Sequence, residues 1–223
     1  MNYFICSMLH NLSNSSGLLQ VFLGELRDKE IQKDRERFRR NLERLGQIMA
    51  YEISKTLPAK EVIVESPLAT ATISVPAVEP VLCCVLRAGL PFFNGFQDYF
   101  SNSDCAFIGA YRGENKDDLS FDIELEYTAM PEIEGRHIFL IDPMLATGKS
   151  IVKAAEAFFR RGKPSSITIA SVIASPDGIG WVEKNLPDSD IWVAAIDKEL
   201  NSHAYIVPGL GDAGDLAFGP KTA

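Results

Sequence analysis

The stretch HIFLIDPMLATGKSIVKAAEAFF, residues 137–159, decides the fold. It opens on an apolar run, Ile138–Ile141, of the kind found in strands buried on both faces. Asp142 ends the run, and a tight loop of small and hydroxylated residues follows. From Ser150 to Arg161 the spacing becomes helical and places Ile151, Ala154, Ala155, Phe158 and Phe159 on one side. Such a loop offers successive backbone N–H groups and a helix N-terminus to one point, which makes an anion site. Asp142, at the carboxyl end of its strand, faces the crevice where α/β proteins bind ligands. An acid beside a phosphate cradle suits neutral hydroxyls, such as those of a ribose, better than more phosphate.

The same pattern continues on either side. Apolar runs recur at Val62–Val64, Val81–Leu86, Ala106–Ala110, Ile167–Ile173 and Ile191–Ile196, and a second helical interval, Asp177–Asn185, follows a Ser-Pro start. Runs apolar on both faces, alternating with helices, predict an α/β fold: a parallel twisted sheet flanked by helices. Upstream, residues from about Leu18 to Leu57 read as helix, with Phe38, Leu42, Leu45, Met49 and Ile53 forming one apolar stripe and Pro58 ending it. The charged run from Asp34 to Glu43 reads as the solvated face of that helix. Residues 112–118 (RGENKDD) are charged, and Leu119–Thr128 alternates polar and apolar as a half-exposed strand does. This marks a protruding arm or lid at about 111–135. The chain is expected to be a single domain, 1–223, with an N-terminal helical segment at about 18–57 and a C-terminal hood at about 201–223.

Composition bounds the function. A net charge of −8 and a pI of about 5.0 repel nucleic acid and anionic membrane, so an anionic ligand must be gripped by a local site. Cys6, Cys83, Cys84 and Cys105 show no C-x-x-C pair, which argues against a disulfide framework or a zinc site and fits the reducing cytosol. The opening residues lack a basic segment and a long apolar core, and no stretch approaches the ~20 apolar residues that span a bilayer. A cytoplasmic protein without membrane partners is expected. His10, His137 and His203 have no ligand or triad spacing and read as non-catalytic. Two look-alike motifs fail: ATGKS lacks the first Gly of a Walker A loop, since Pro143 stands there, and GLGDAG at 209–214 has too little chain after it for a dinucleotide fold.

IDPMLATGKS resembles the phosphoribosyl-pyrophosphate (PRPP) loop of type I phosphoribosyltransferases, in the variant typical of uracil phosphoribosyltransferases. Three further segments are similar to that family in the same order. VLRAGLPFFNG (85–95) looks like its pyrophosphate loop, AYR (110–112) like the start of its flexible arm, and YIVPGLGDAGD (205–215) like its uracil-binding hood. Weaker likeness, at LRD (26–28) and AAID (194–197), extends it over nearly the whole chain.

The resemblance implies roles. PRPP would rest on Asp142, Pro143, Met144, Leu145, Ala146, Thr147, Gly148, Lys149 and Ser150, with its 5-phosphate on the amides and hydroxyls of Leu145 to Ser150 and its ribose hydroxyls on Asp142. Arg87 and Arg112 would hold the departing diphosphate, where cations stabilise most when bond breaking is advanced. Ile206, Gly211, Asp212 and Ala213 would read uracil, and Asp212 would favour loss of the N1 proton while lying beside the ribose. Catalysis is thus expected to rest on Asp212, Arg87 and Arg112. Magnesium is implied, held mainly by PRPP and water, with no dedicated protein metal site. Uracil and PRPP are the implied substrates, a homodimer or higher homo-oligomer the implied assembly, and pyrimidine salvage the implied role.

Three departures stand out. Lys149 replaces a second Gly common in the family, Leu216 replaces an Arg usual after GDAGD, and the arm has lost most of the family's pattern. An active subgroup is the reading adopted. The alternatives are a degenerate paralogue and a PRPP-sensing regulatory protein that binds RNA, the latter opposed by the acidic pI and the lack of a basic aromatic stripe.

Overall fold

Along VLCCVL, residues 81–86, successive side chains enter different cores: Val81, Cys83 and Val85 join one, Leu82 and Cys84 the other. A strand covered on both faces is the outcome its unbroken apolar run requires. The computed structural model describes residues 8–14, 16–115 and 121–220, with backbone alone at 110–115 and 121–125. In chain order the elements begin β1 (Leu9–Asn11), α1 (Leu18–Arg27), α2 (Arg35–Ser54), β2 (Ala59–Glu65), β3 (Thr70–Pro76), β4 (Val81–Leu86) and α3 (Gly89–Tyr99). They continue β5 (Cys105–Asn115), β6 (Phe121–Ala129), β7 (His137–Ile141), β8 (Met144–Leu145), α4 (Lys149–Phe159) and β9 (Ser166–Ala174). The last are α5 (Pro176–Asn185), β10 (Ser189–Ile196), β11 (Glu199–Leu200), β12 (Ile206–Val207) and α6 (Ala213–Phe218).

The main sheet runs β1-β10-β9-β7-β4-β5-β6, with β8 added beside β9. Its pairs are parallel except for β6, which returns antiparallel to β5. From β7 the chain moves through α4 to β9 on one side, whereas β4 leads through α3 to β5 on the other. The carboxyl ends of β4 and β7 therefore flank a reversal of strand order, the place where open α/β sheets bind ligands. One core lies between the sheet and α1, α2 and α3, the other between the sheet and α4 and α5.

The stripe Phe38, Leu42, Leu45, Met49 and Ile53 is buried on α2 as expected. The single helix expected over 18–57 is divided. Asp28 turns its carboxylate to the N–H groups of Glu30 and Ile31, and Asp34 caps α2 by accepting from Arg37 N–H at 3.1 Å. Both acids favour a turn over a continuous helix because their side chains satisfy the backbone locally. The charged face of α2 is mostly solvated, but Arg37 binds Glu25 of α1 and Arg39 donates to the carbonyl of Ala217.

Other differences concern the edges. Val62–Val64 is not in the parallel sheet: it lies in an antiparallel hairpin, β2–β3, where Ile63 is 75% exposed. Phe159, expected on the apolar side of its helix, is 50% exposed at the end of α4. The arm begins as the edge pair β5–β6, in register from Phe107↔Ala129 to Asn115↔Phe121 with two irregularities, and its tip, 116–120, lies outside the described residues. Its expected end at 135 is too far, since Ile133 is fully buried in the core beneath α4.

Helix α3, which the sequence reading missed, meets α2 backbone to backbone. A Cβ on Gly46 would strike the carbonyl of Phe92, and one on Gly95 would strike that of Glu43. This close crossing fixes the N-terminus of α3, two residues after Arg87.

Candidate active site

One crevice opens at the carboxyl ends of β4 and β7. Arg87, Asp142, Met144, Leu145, Ala146, Thr147, Gly148, Ser150, Gly211, Asp212 and Ala213 line it, together with Ala88, Tyr205 and Gly214. The fold thus brings three distant stretches of sequence to one place.

The loop from Asp142 to Gly148 is held from outside by α5. Ser175, the N-cap of that helix and fully buried, donates its N–H to the carbonyl of Leu145 at 3.0 Å and its hydroxyl to that of Ala146 at 2.6 Å. The same hydroxyl accepts from Gly178 N–H at 2.9 Å. A trans peptide points its N–H opposite its C=O. With those two carbonyls tied to α5, the N–H groups of Ala146 and Thr147 face away from it, towards the crevice. Gly148 caps α4 with φ +72°, and a Cβ there would lie 2.7 Å from the Gly178 carbonyl. Gly is needed for both the left-handed backbone and the close approach.

Asp142 leaves β7 into the crevice floor. Its Oδ1 accepts Met144 N–H at 3.1 Å, yet burial outweighs that bond and pushes the carboxyl up to about 7. Pro143 lies under the loop, its carbonyl accepting the N–H groups of Val172 and Ile173. Lys149 begins α4 and lies outside the crevice lining.

Arg87 follows β4 directly, and the Leu86–Arg87 peptide is cis. Its Nη2 donates to Asp215 Oδ1 at 2.9 Å, whereas its buried Nε has no partner among the described residues. The side chain of Arg112 lies outside the described residues, and its backbone sits in register with Ile123 on the edge pair.

The hood closes the other side. Asp212, exposed at the crevice mouth, caps α6 by accepting Asp215 N–H at 3.0 Å. Gly211 has φ +90° and lines the crevice through its backbone. Ile206 is only 4% exposed and its side chain joins the core, so it can offer a ligand only its backbone. Leu216, in place of the usual arginine, packs half-buried against the same core.

Two residues from the weakly similar segments hold the hood from behind. Asp197 pairs with Arg27 through two bonds, at 2.6 and 2.8 Å, and its Oδ2 also takes Gly209 N–H at 2.9 Å. Arg27 donates further to the Gly209 carbonyl at 3.0 Å. The sequence reading missed Ser175 as well. Its place before Pro176 signals a helix start but not a bond to a loop 29 residues upstream. The histidines sit elsewhere: His10 stacks on Trp192, His137 meets Ser166 at the amino end of β7, and His203 is exposed in the turn before β12.

Comparison with known proteins agrees with this geometry. Residues 13–220 match the family described as uracil phosphoribosyltransferase. The chain is 50% identical over 212 residues to the uracil phosphoribosyltransferase of Porphyromonas gingivalis, covering 95% of this chain and 98% of that one. It is 37% identical over 214 residues to the Pyrococcus furiosus protein of the same name, covering 95% and 90%. Its fold is similar to that of the AQ2163 protein from Aquifex aeolicus, with a TM-score of 0.84 and 29% identity over 95% of this chain and 98% of that chain. The mostly parallel, helix-flanked sheet is the α/β architecture expected from the sequence. On a match that runs through the loop after β7, Arg87 and the C-terminal segment alike, the chain belongs to the uracil phosphoribosyltransferase family.

Proposed function

We propose that this chain transfers the phosphoribosyl group of PRPP to N1 of uracil, giving uridine monophosphate and diphosphate, a pyrimidine-salvage reaction. One observation carries the reading: an amide-lined loop, an arginine with an orphaned donor and a glycine-rich hood line one crevice at the strand-order reversal. The 5-phosphate lies on the amides and hydroxyls between Leu145 and Ser150, where a helix N-terminus adds its favourable field. Asp142 holds the ribose hydroxyls. Arg87, whose Nε has no partner among the described residues and calls for an acceptor, binds the diphosphate, and Arg112 closes over it from the arm.

The hood offers uracil a backbone edge at Ile206, Gly211 and Ala213, which suits a small planar ring with alternating donors and acceptors. As N1 attacks the anomeric carbon, the bond from that carbon to the diphosphate oxygen breaks, and the N1 proton leaves towards Asp212. Charge gathers on the leaving group, which the two arginines stabilise.

Among the described residues no three acidic, His or Cys side chains gather to hold a metal. The acids that line the crevice, Asp142 and Asp212, suit an ion brought in by the diphosphate. Magnesium so bound would neutralise charge on the leaving group.

The hairpin β2–β3 supports a homodimer, since Ile63, Leu68 and Ile73 are 75%, 97% and 43% exposed on it. Light scattering on the purified protein would give its mass. Burial of Cys83 and Cys84 with no disulfide among the described residues supports a cytoplasmic setting, and no described helix is long and apolar enough to cross a membrane.

The test is product formation from labelled uracil and PRPP with magnesium, beside a panel of other bases. Uridine monophosphate formed from uracil alone bears out the reaction. No product from any base, with PRPP still bound, would refute it.

A further inference from the structure

Helix α1 lines no part of the crevice, yet its last residue, Arg27, together with its partner Asp197, holds both backbone polar groups of Gly209. Gly209 C=O accepts from Arg27 directly, and Gly209 N–H reaches the Asp197 carboxylate that Arg27 grips side-on. Asp197 and Gly209 are both buried, and Gly209 has φ +63° with no room for a Cβ, which would strike the carbonyl of Ile206. A short run joins this fixed point to Gly211 and Asp212, and within it Leu210 is 3% exposed.

We propose that Arg27 and Asp197 are positioning residues for base recognition, setting where the backbone of residues 209–213 meets the ring while touching no substrate themselves. This rests on the reading of the hood as the uracil site. An apolar pair would fill the same space and could hold the fold as well. What the ion pair adds is direction, because a planar guanidinium and a carboxylate fix one peptide segment from both sides. The consequence is selective. The phosphate loop is held by Ser175 on a different helix, so loosening the clamp should weaken uracil and leave PRPP alone.

The test uses Arg27→Lys, which keeps the charge but loses the planar two-pronged grip, and Asp197→Asn, which keeps an acceptor for Gly209 N–H but loses the charge. Initial rates are measured with each substrate varied, beside hydrogen exchange followed by mass spectrometry. Expected for both variants is a KM for uracil raised on the order of tenfold, as for loss of a charge-assisted hydrogen bond, with KM for PRPP changed by less than about twofold. Exchange is expected to quicken at residues 209–214 and to stay unchanged in β4, β7 and β9. Parallel shifts in both KM values, an unchanged hood exchange rate, or unfolding of both variants would overturn the proposal. Failure of the parent protein to use uracil would instead refute the base-site reading, and the exchange measurement would still decide whether the clamp orders the hood.

Discussion

Arg87 Nη2 lies 2.9 Å from Asp215 Oδ1, joining the loop after β4 to the hood helix α6. Both side chains are about two-fifths exposed, so the pair is worth only ~0.2–1 kcal/mol. Arg87 cannot give the same N–H to Asp215 and to a diphosphate. Asp215→Asn is therefore expected to lower KM for PRPP by roughly 1.5- to 5-fold and to strengthen diphosphate inhibition by a similar factor. Initial rates at varied PRPP decide it, and a raised KM would show that Asp215 aids the grip instead of competing for it.

Asp212 caps α6, and in the proposed reaction it also takes the N1 proton, two tasks that can be separated. Asp212→Asn keeps an acceptor for Asp215 N–H, so Tm should hold, while kcat should fall by roughly 10²–10⁴ as for loss of a proton-transfer group. Asp212→Ala should show the same fall in kcat and lose the cap as well, at ~1 kcal/mol. Equal activity in Asp212→Asn and the parent would remove Asp212 from the chemistry.

Gly178 lies against the loop proposed to bind phosphate, where an added Cβ would strike the Ala146 carbonyl and lie 2.6 Å from that of Leu145. Gly178→Ala should push the loop towards the crevice and raise KM for PRPP by an order of magnitude or more, since displaced donors lose most of a hydrogen bond. The comparison variant is Gly180→Ala, where a Cβ meets nothing and little change is expected.

Asp142 should make stability depend on pH. Its carboxyl titrates near 7 in the folded chain and near 3.8 when unfolded. Below about pH 4 both states are protonated and it has no effect. Between about 4 and 7 the unfolded chain loses the proton and the folded chain keeps it, so stability falls as pH rises, and the full penalty persists above 7. Asp142→Asn removes that penalty. Urea unfolding should then show the variant gaining on the parent between about pH 4.5 and pH 8, while its PRPP affinity is impaired. An equal difference at both values would mean that the carboxyl is ionised throughout.

The central sheet was legible because burial on two faces forces continuous apolar runs, and Val81–Leu86 or Ile138–Ile141 can be little else. The loop after β7 was legible as a loop because the apolar run stops at Asp142 and helical spacing resumes only at Ser150. What escaped has weaker local signals. Thr70–Pro76 is a strand of small polar and apolar residues with little burial, held by pairing with β2. Helix α3 contains Gly89, Pro91 and Gly95, poor helix formers whose use is explained only by α2 pressing against them. Asp28 and Asp34 break a run that otherwise favours helix, and only their side-chain bonds reveal it. Ser175, Arg27 and Asp197 act across the fold, where periodicity carries no information. Arg87 was expected to face a diphosphate, and its bond to Asp215 lay beyond any local pattern.

Arg27 and Asp197 stand 170 residues apart in sequence. On a ribosome adding about 5–20 residues per second, α1 emerges roughly 10–30 s before its partner carboxylate exists. During that interval the N-terminal helix has neither its counter-ion nor the glycine it will hold. Ser175, which ties down the loop after β7, also precedes Asp197 and Gly209 in the chain, so the hood is the last side of the crevice to acquire its frame.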